Sequence, residues 1–254
     1  MKLVYRPEID GLRAIAIVSV VLYHAEIIFF KGGFIGVDIF FVISGYLITA
    51  LILKELKSTG GFSFLNFYAR RVRRIIPALF FVMLASLPPA WIYLVPTSFA
   101  DYSTSILYSI AFSSNFYFHF SGSQYGAENA LFIPFLHTWS LSVEEQFYII
   151  FPVILLITHK YFKNYMFPII IGGLFLSLHF ADWGSHTYPS ATFYFLPSRM
   201  WELLSGATLA YLEANDIKIP IPKTLNKVLP FLGLIFIGYS IVFYDFKMHH
   251  PSYQ

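Results

Sequence analysis

Two residues with different acid–base chemistry lie eleven positions apart in the first apolar stretch of the sequence, residues 12–30. They are Arg13 and His24. On a helix, eleven residues make about three turns, so both side chains share one face about 16 Å apart along the axis. A permanently charged guanidinium suits phosphate, and a neutral imidazole suits proton transfer. Taken alone, a histidine in a membrane more often packs or hydrogen-bonds, so a chemical role for His24 depends on acidic partners.

Carboxylates occur in two later apolar segments. Asp38 lies near the start of the second segment, and Glu144 and Glu145 lie near the start of a later one. Adjacent glutamates on a helix point about 100° apart, so they do not share one role. A histidine with a carboxylate at similar depth is what proton abstraction from a hydroxyl needs, and this predicts His24, Asp38 and Glu144 as catalytic. The alternatives are that Asp38 caps a helix N-terminus and that the glutamates are interfacial caps.

Two further pairs of residues stand out within apolar segments. Ser44 and Gly45 fall near mid-membrane, where a missing side chain allows close approach of either a ligand or a neighbouring helix. Arg199 and Glu202 are i,i+3 neighbours that can pair. Charges within a bilayer cost about 2.5–3.5 kcal/mol each, so a functional role is expected for such residues as a group. For Arg199 and Glu202 themselves, a structural ion pair is the simpler interpretation.

A cluster of four arginines precedes Pro77, where the third apolar segment is predicted to begin. One explanation is positive-inside anchoring of a cytoplasmic loop. The other is a docking site for a cytoplasmic polyanion, because guanidinium groups bind phosphate in a bidentate way. The cluster consists of Arg70, Arg71, Arg73 and Arg74.

The amino-acid composition indicates that these residues belong to a membrane protein. Of the 254 residues, 57% are hydrophobic and 12% are charged, and the mean hydropathy is +0.64. A soluble domain carries about 25% charged residues, so a soluble globule is excluded. The net charge of +3 is too small and dispersed to indicate nucleic acid. The absence of cysteine excludes disulfides and thiolate chemistry, and no metal site is indicated, since His249 and His250 lie in a polar tail.

The apolar segments predict an all-α, polytopic bundle of seven or eight transmembrane helices. A bilayer core needs roughly 20 apolar residues per helix. One segment, 103–119, is rich in serine and fits a full crossing no better than an interfacial or half-crossing helix. The candidate spans are 12–30, 34–53, 75–95, 103–119, 140–158, 165–181, 192–212 and 228–245.

Lysine and arginine set the expected orientation. The N-terminus and the loop with the four arginines should both be cytoplasmic. Two later basic loops, with Lys160 and Lys163 and with Lys218, Lys223 and Lys227, fall inside only if 103–119 does not cross, which favours seven crossings. The outward loop 119–138, with Tyr125, Glu128 and Asn129, is then placed to face a substrate outside the cytoplasm.

Five stretches of the sequence resemble the acyltransferase 3 family of integral-membrane O-acyltransferases, which includes O-antigen and peptidoglycan O-acetylases. They occur in the family's order and cover most of the chain. The stretches are RPEIDGLRAIAIVSVVLYH, GGFIGVDIFFVISGYLI, FYARRVRRIIPAL, HTWSLSVEEQFYIIFP and PSRMWELLSGATLA.

The resemblance implies specific partners and roles. The donor would be cytoplasmic acyl-CoA, such as acetyl-CoA, with no bound cofactor. The acceptor would be a hydroxyl of a glycan or lipid-linked sugar, and the location the bacterial inner membrane. Arg13 and His24 match the family's Arg-x10-His signature, and the basic cluster contains its Arg-x-Arg donor motif. The other matches are Ser44–Gly45 in Phe-Phe-Val-x-Ser-Gly, and Ser142 and Glu144 in Ser-Val-Glu. Beside these matches, Ser142, Arg199 and Glu202 are named as candidate substrate-binding residues.

Two other functions are compatible with charged groups inside a membrane. One is a transporter, in which such groups build proton relays, although no repeat typical of transporters is visible. The other is an inactive scaffold in polysaccharide assembly. Family members usually have about ten spans, and some add an outward-facing hydrolase-like domain, so the resemblance implies that this sequence covers only part of such a protein.

Overall fold

The computed structural model describes residues 5–122, 133–217 and 220–245. Within these ranges the protein is all-α, without strands, as predicted. Several residues singled out above lie outside the described residues: Tyr125, Glu128, Asn129, Lys218, His249 and His250.

Ten α-helices occur in the described ranges, with short 3-10 turns at Ile28–Phe30, Gly33–Ile35 and Lys163–Tyr165. The helices are α1 (Pro7–His24), α2 (Gly36–Thr59), α3 (Phe64–Tyr93), α4 (Pro96–Ile110), α5 (Ser114–Phe120), α6 (Thr138–Tyr161), α7 (Met166–Thr187), α8 (Pro189–Tyr194), α9 (Leu196–Ala214) and α10 (Lys223–Phe243).

Five helical segments of the described chain are long and apolar enough to cross a bilayer, judged by length and composition. They are Gly33–Thr59, Phe64–Tyr93, Thr138–Tyr161, Lys163–Thr187 and Thr224–Phe243. Helices α1 and α9, with 18 and 19 residues, correspond to two further predicted spans. The multi-pass membrane class is confirmed, whereas the number of crossings, seven or eight, stays a prediction.

No single helix covers the candidate span 103–119. Helix α4 ends at Ile110 and α5 begins at Ser114, and between them Phe112 has a positive φ of 50°. With 15 residues, α4 is about 22 Å long, which is shorter than the roughly 30 Å apolar core of a bilayer. One straight helix therefore does not carry this segment across a membrane.

The predicted start of the third segment at Pro77 is wrong. Helix α3 begins at Phe64, where the Ser63 hydroxyl accepts a hydrogen bond from the Asn66 backbone N–H at 3.4 Å, and it continues through Pro77. A proline inside a transmembrane helix is tolerated where neighbouring groups satisfy the freed backbone. The four arginines therefore lie on the first turns of a 30-residue helix and not in a loop.

The chain separates into two compact units. Unit 1 comprises residues 1–54 and 147–254, and unit 2 comprises residues 55–146. Unit 1 contains α1, most of α2, most of α6 and helices α7 to α10. Unit 2 contains α3, α4, α5 and the first turns of α6.

Helices α2 and α9 of unit 1 pack backbone to backbone through two glycines. A methyl group added at Gly45 would collide with the Leu203 backbone, and one added at Gly206 would collide with the backbone of Val42 and Tyr46. Small residues allow such close helix approach in membranes. For Gly45, the structure thus favours helix packing over ligand contact, and this packing brings the start of α9 close to the start of α2.

Substituting either glycine should loosen this contact. We expect Gly45→Ala and Gly206→Ala each to destabilise the protein by about 1–3 kcal/mol, the usual cost of overpacking. Gly172→Ala on α7 is the matched control, because nothing lies within 4 Å of the added methyl group, and alanine favours helix by about 1 kcal/mol over glycine. Thermal unfolding in detergent measures the difference, and equal melting temperatures for all three variants would contradict it.

Unit 2 is organised by a chain of buried hydroxyl groups. Ser109 lies 2.8 Å from Thr138, whose hydroxyl donates to Ser114 at 2.9 Å, and Ser114 lies 2.8 Å from Ser142. These bonds join α4 and α5 to the start of α6. Ser142 is 1% exposed, so the structure gives it a packing role, and its predicted contact with substrate stays a prediction.

Candidate functional site

Three charged residues of unit 1 form one buried cluster, the Asp38–Arg199–Glu202 cluster. The Arg199 Nη1 donates to Glu202 Oε1 at 2.9 Å and to Asp38 Oδ1 at 3.3 Å. Its Nε donates to the Phe193 carbonyl at 3.2 Å, and the guanidinium carbon lies 5.0 Å from the centre of the Phe193 ring. The predicted Arg199–Glu202 pair is confirmed, and Asp38 is a third member that sequence spacing did not connect to it.

Local sequence explains why these side chains meet. Asp38 lies in the first turn of α2, where a carboxylate is favoured by the helix dipole. Arg199 and Glu202 lie in the first two turns of α9, just after Pro197. The Ser177 hydroxyl of α7 donates to the Pro197 carbonyl at 2.6 Å and accepts the Trp201 N–H at 2.9 Å, which holds the start of α9 in place.

The cluster is buried and carries more acid than base. Glu202 is 1% exposed and Arg199 is 8% exposed. Glu202 Oε2 has no hydrogen-bond partner among the described residues. If both carboxylates ionise, one guanidinium faces two negative charges, and desolvation of buried ions is costly unless every group is satisfied. The cluster is therefore a place where a bound group or a proton improves the electrostatic balance.

A cavity of about 220 Å³ opens beside the cluster within unit 1. All three cluster residues line it. The other polar or aromatic side chains in its wall are Thr192, Ser198, Trp201, Ser240 and Tyr244. The cavity is thus lined by serine, threonine and tyrosine residues, by an indole and by a carboxylate with an unpartnered oxygen.

The cavity lies at the end of unit 1 where α2 and α9 begin and α10 ends. The loop before α2 is joined to that end of α10 by a hydrogen bond from the Gly32 N–H to the Ile241 carbonyl at 2.9 Å. With a cytoplasmic N-terminus, α1 ends and α2 begins toward the outer face. The cavity is therefore on the half of unit 1 that positive-inside orientation places away from the cytoplasm.

His24 does not line this cavity. It is the last residue of α1, is exposed, and packs edge-on against the Tyr23 ring at 5.2 Å. Gly36, at the start of α2, packs against Ser19 and Ala16. Because Ser19 precedes His24 by five residues, α2 begins about 7.5 Å inward of His24 along α1. The start of α2 is thus offset from His24 along α1, and a common depth of His24 and Asp38 in the bilayer stays a prediction.

Arg13 and His24 lie on the same helix, as predicted. Both lie on α1, which runs unbroken from Pro7 to His24. Arg13 donates to Asp10 at 3.1 Å and its side chain is 28% exposed, so it remains accessible near the N-terminal end of α1. Glu144 belongs to unit 2 and is half-buried. Its approach to His24 stays a prediction.

Helix geometry divides the four arginines of α3. Arg70 contacts Glu55 at 3.5 Å, and Arg71 covers the Phe67 ring with its guanidinium carbon 5.8 Å from the ring centre. Residues two apart on a helix do not face each other, so Arg71 and Arg73 point to different sides. Arg73 is exposed, as is Arg74, and Arg71 is half-buried.

Glu145 is a buried acid that sequence reasoning passed over in favour of Glu144. It is 8% exposed, its Oε1 has no hydrogen-bond partner among the described residues, and its nearest charged groups include Arg71. The sequence spacing indicates that Glu145 is buried. It follows the buried Ser142 by three residues and therefore lies on the same face of the helix.

A hydrogen-bond network that the sequence analysis did not predict lies at the N-terminal end of α1, away from His24. Arg6 Nη1 donates to the Tyr46 hydroxyl at 2.6 Å and to Glu213 Oε2 at 3.0 Å, and the Tyr46 hydroxyl donates to Glu213 at 2.5 Å. A hydrogen bond from Arg6 lowers the pKa of Glu8. The network joins the start of α1 and the end of α9 to α2.

The comparisons with known proteins agree with the sequence motifs. Residues 6–253 match the family model described as an acyltransferase domain. The chain is 37% identical over 257 residues to the peptidoglycan O-acetyltransferase OatA of Listeria monocytogenes, covering 98% of this chain and 41% of that protein. It is 34% identical over 238 residues to the O-acetyltransferase OatA of Staphylococcus aureus, covering 91% of this chain and 38% of that protein. No solved structure matches it.

Proposed function

Because this chain belongs to the family of acyltransferase domains, we propose that it transfers an acyl group, acetyl in the first instance, from cytoplasmic acyl-CoA to a sugar hydroxyl. The acceptor is a glycan or lipid-linked sugar of the bacterial envelope, and the chain resides in the inner membrane. The observation that carries the proposal is the family match across residues 6–253. The chain spans about two fifths of the length of its relatives, so this function concerns the membrane part they share.

The chemical step follows from the residues at the outer end of α1. The acceptor oxygen attacks the thioester carbonyl, the carbon–sulfur bond breaks, and CoA leaves as a thiol after receiving the proton. His24 accepts the hydroxyl proton as general base, a role worth about 10²–10⁴-fold in rate. Glu144 orients the imidazole, since Asp38 is already bonded to Arg199. A route through a covalent acyl-histidine uses the same residues.

The donor enters from the opposite side. Arg71 and Arg73, which point to different sides of α3, bind different phosphates of acyl-CoA, because guanidinium groups form strong paired contacts with phosphate. Arg13 of α1 is a further candidate for a phosphate contact. The match of Arg71 and Arg73 to the family's Arg-x-Arg motif supports this assignment, and the positive-inside rule predicts that this part of α3 is cytoplasmic. The pantetheine arm then extends along the helices toward His24.

The named relatives support a glycan acceptor. One of them acts on peptidoglycan, as its name states, and a hydroxyl of an envelope glycan is a substrate of the same chemistry. Neither the transporter nor the inactive scaffold gains support from this family match.

A membrane assay tests the proposed function directly. Vesicles containing the protein receive acetyl-CoA labelled in its acetyl group, together with envelope glycan, and label in the glycan is measured. We expect transfer that depends on the protein and on the CoA ester. Transport of unmodified sugar with no labelled product would contradict the proposal.

Removing the donor arginine should weaken donor binding specifically. We expect Arg71→Ala to raise KM for acetyl-CoA about 10-fold to 100-fold, as loss of a charged hydrogen bond of about 1.5–3 kcal/mol implies. Arg71→Lys should recover part of this effect, because lysine keeps the charge but not the paired geometry. Lys160→Ala, which changes a basic residue in the last turn of α6, is the control and should leave KM unchanged. An unaltered KM in Arg71→Ala would remove it from the donor site.

A further inference from the structure

Resting on the proposed function, we propose that the cavity beside the Asp38–Arg199–Glu202 cluster is a subsite for one neutral, hydroxyl-bearing ring of the acceptor. In this subsite, Glu202 Oε2 accepts a hydrogen bond from a ring hydroxyl, and Trp201 forms part of the wall against which the ring packs. Arg199 and Glu202 lie in the family-like stretch PSRMWELLSGATLA, but that resemblance names neither this cavity nor the chemical group that it binds.

One carboxylate oxygen of the cluster, Glu202 Oε2, lacks a hydrogen-bond partner among the described residues. Glu202 is 1% exposed, and its Oε1 is bonded to Arg199 while its Oε2 has no partner among the described residues. Buried polar atoms almost always have a hydrogen-bond partner, and leaving one without costs about 1–3 kcal/mol or more for a charged group. An ionised carboxylate only accepts hydrogen bonds. In the ionised form of Glu202, the missing partner is therefore a donor group, such as a hydroxyl of a bound ligand.

The charges of the cluster indicate which ligands the cavity accepts. The Arg199 guanidinium already contacts two carboxylates and the Phe193 carbonyl. A phosphate or carboxylate ligand would meet two acids for one base, and like charges at close range are unfavourable in a buried site. The cavity therefore disfavours CoA and favours a neutral donor such as a sugar hydroxyl.

The size and lining of the cavity fit a single sugar ring. Its volume is about 220 Å³. Pockets for drug-sized ligands measure about 300–1,000 Å³, so this one suits a single ring and not an oligosaccharide. Ser240, Tyr244 and Trp201 all line the cavity, and this mixture of hydroxyl-bearing and aromatic residues suits a ring with polar edges and an apolar face.

The test uses the purified chain in detergent and the fluorescence of Trp201 as the binding signal. N-acetylglucosamine is the neutral probe and glucuronate is its anionic counterpart. We expect a saturable change with N-acetylglucosamine that is absent in Trp201→Phe, and a weaker or absent change with glucuronate. Equal or tighter binding of glucuronate would overturn the proposal.

Two cavity variants and one control separate binding from folding. Glu202→Gln keeps an oxygen for Arg199 but alters the second position, and we expect about 10-fold weaker binding of N-acetylglucosamine, as for loss of one charged hydrogen bond. Ser240→Leu fills the cavity from α10 and should abolish binding. Leu234→Ala, on the exposed face of α10, is the matched control and should bind normally. Normal binding in Ser240→Leu would show that the ring does not enter this cavity.

Acyl transfer measured on the same samples distinguishes this inference from the proposed function. Saturable binding that the variants weaken supports the subsite even in a preparation without transfer activity. Normal transfer by Ser240→Leu, with no Trp201 response to N-acetylglucosamine in the unsubstituted chain, overturns the subsite and leaves the acyltransferase assignment intact.

Discussion

Replacing His24 with alanine is expected to reduce acyl transfer by about 10²–10⁴-fold, the range measured for loss of a general base. His24 is the only group of the Arg-x10-His signature that can accept a proton near neutral pH. It is also exposed at the end of α1 and not buried in the core, so its loss creates no cavity. The variant should therefore insert and unfold like the parent protein while failing in the labelled-acetyl assay.

His179→Ala provides the matched control for this experiment. His179 is also an exposed histidine on a membrane helix, α7, but it lies in none of the five family-like stretches. It should retain full transfer. Full activity in His24→Ala, or equal losses in both variants, would remove His24 from the chemistry.

The second large effect concerns stability. Arg199→Met leaves two carboxylates facing each other without their shared cation, and removal of one partner from a buried ion pair costs about 3–5 kcal/mol. We expect a strongly lowered melting temperature in detergent and a reduced yield of inserted protein. The effect should exceed that of Arg70→Met, because Arg70 and its partner Glu55 are more exposed than Arg199 and Glu202.

A charge-balanced variant shows whether the loss comes from the uncompensated acids. Combining Arg199→Met with Asp38→Asn and Glu202→Gln removes all three charges, and such replacements are often neutral or stabilising. We expect most of the stability to return. If the triple variant is as unstable as Arg199→Met, the shape of the arginine side chain and not its charge holds α2 and α9 together.

The helices were largely predictable because apolar length is a strong signal in membranes. Where the prediction failed, local packing decided the outcome. Helix α3 begins before its arginines because Ser63 caps it, and Pro77 is accommodated inside it. The interruption at Phe112 depends on a backbone conformation with positive φ, which no pattern of hydrophobicity reveals.

The site was predicted in parts. Spacing alone identified the Arg199–Glu202 pair, because i,i+3 residues meet on any helix. It did not connect Asp38 to that pair, since the contact depends on how closely Gly45 and Gly206 allow two helices to approach. Likewise, the choice of Glu144 over Glu145 rested on an expected depth in the membrane and on a family motif, whereas burial depends on which face of α6 meets its neighbours.

Mass spectrometry of envelope glycans, from cells that carry the gene and from cells that lack it, tests the central claim of glycan O-acylation most directly. We expect acetyl-sized mass increments on sugar hydroxyls in the first sample and their loss in the second, with recovery on return of the gene but not of its His24→Ala form. Glycans with identical acyl content in all of these cells would contradict the assignment of this protein as an envelope O-acyltransferase.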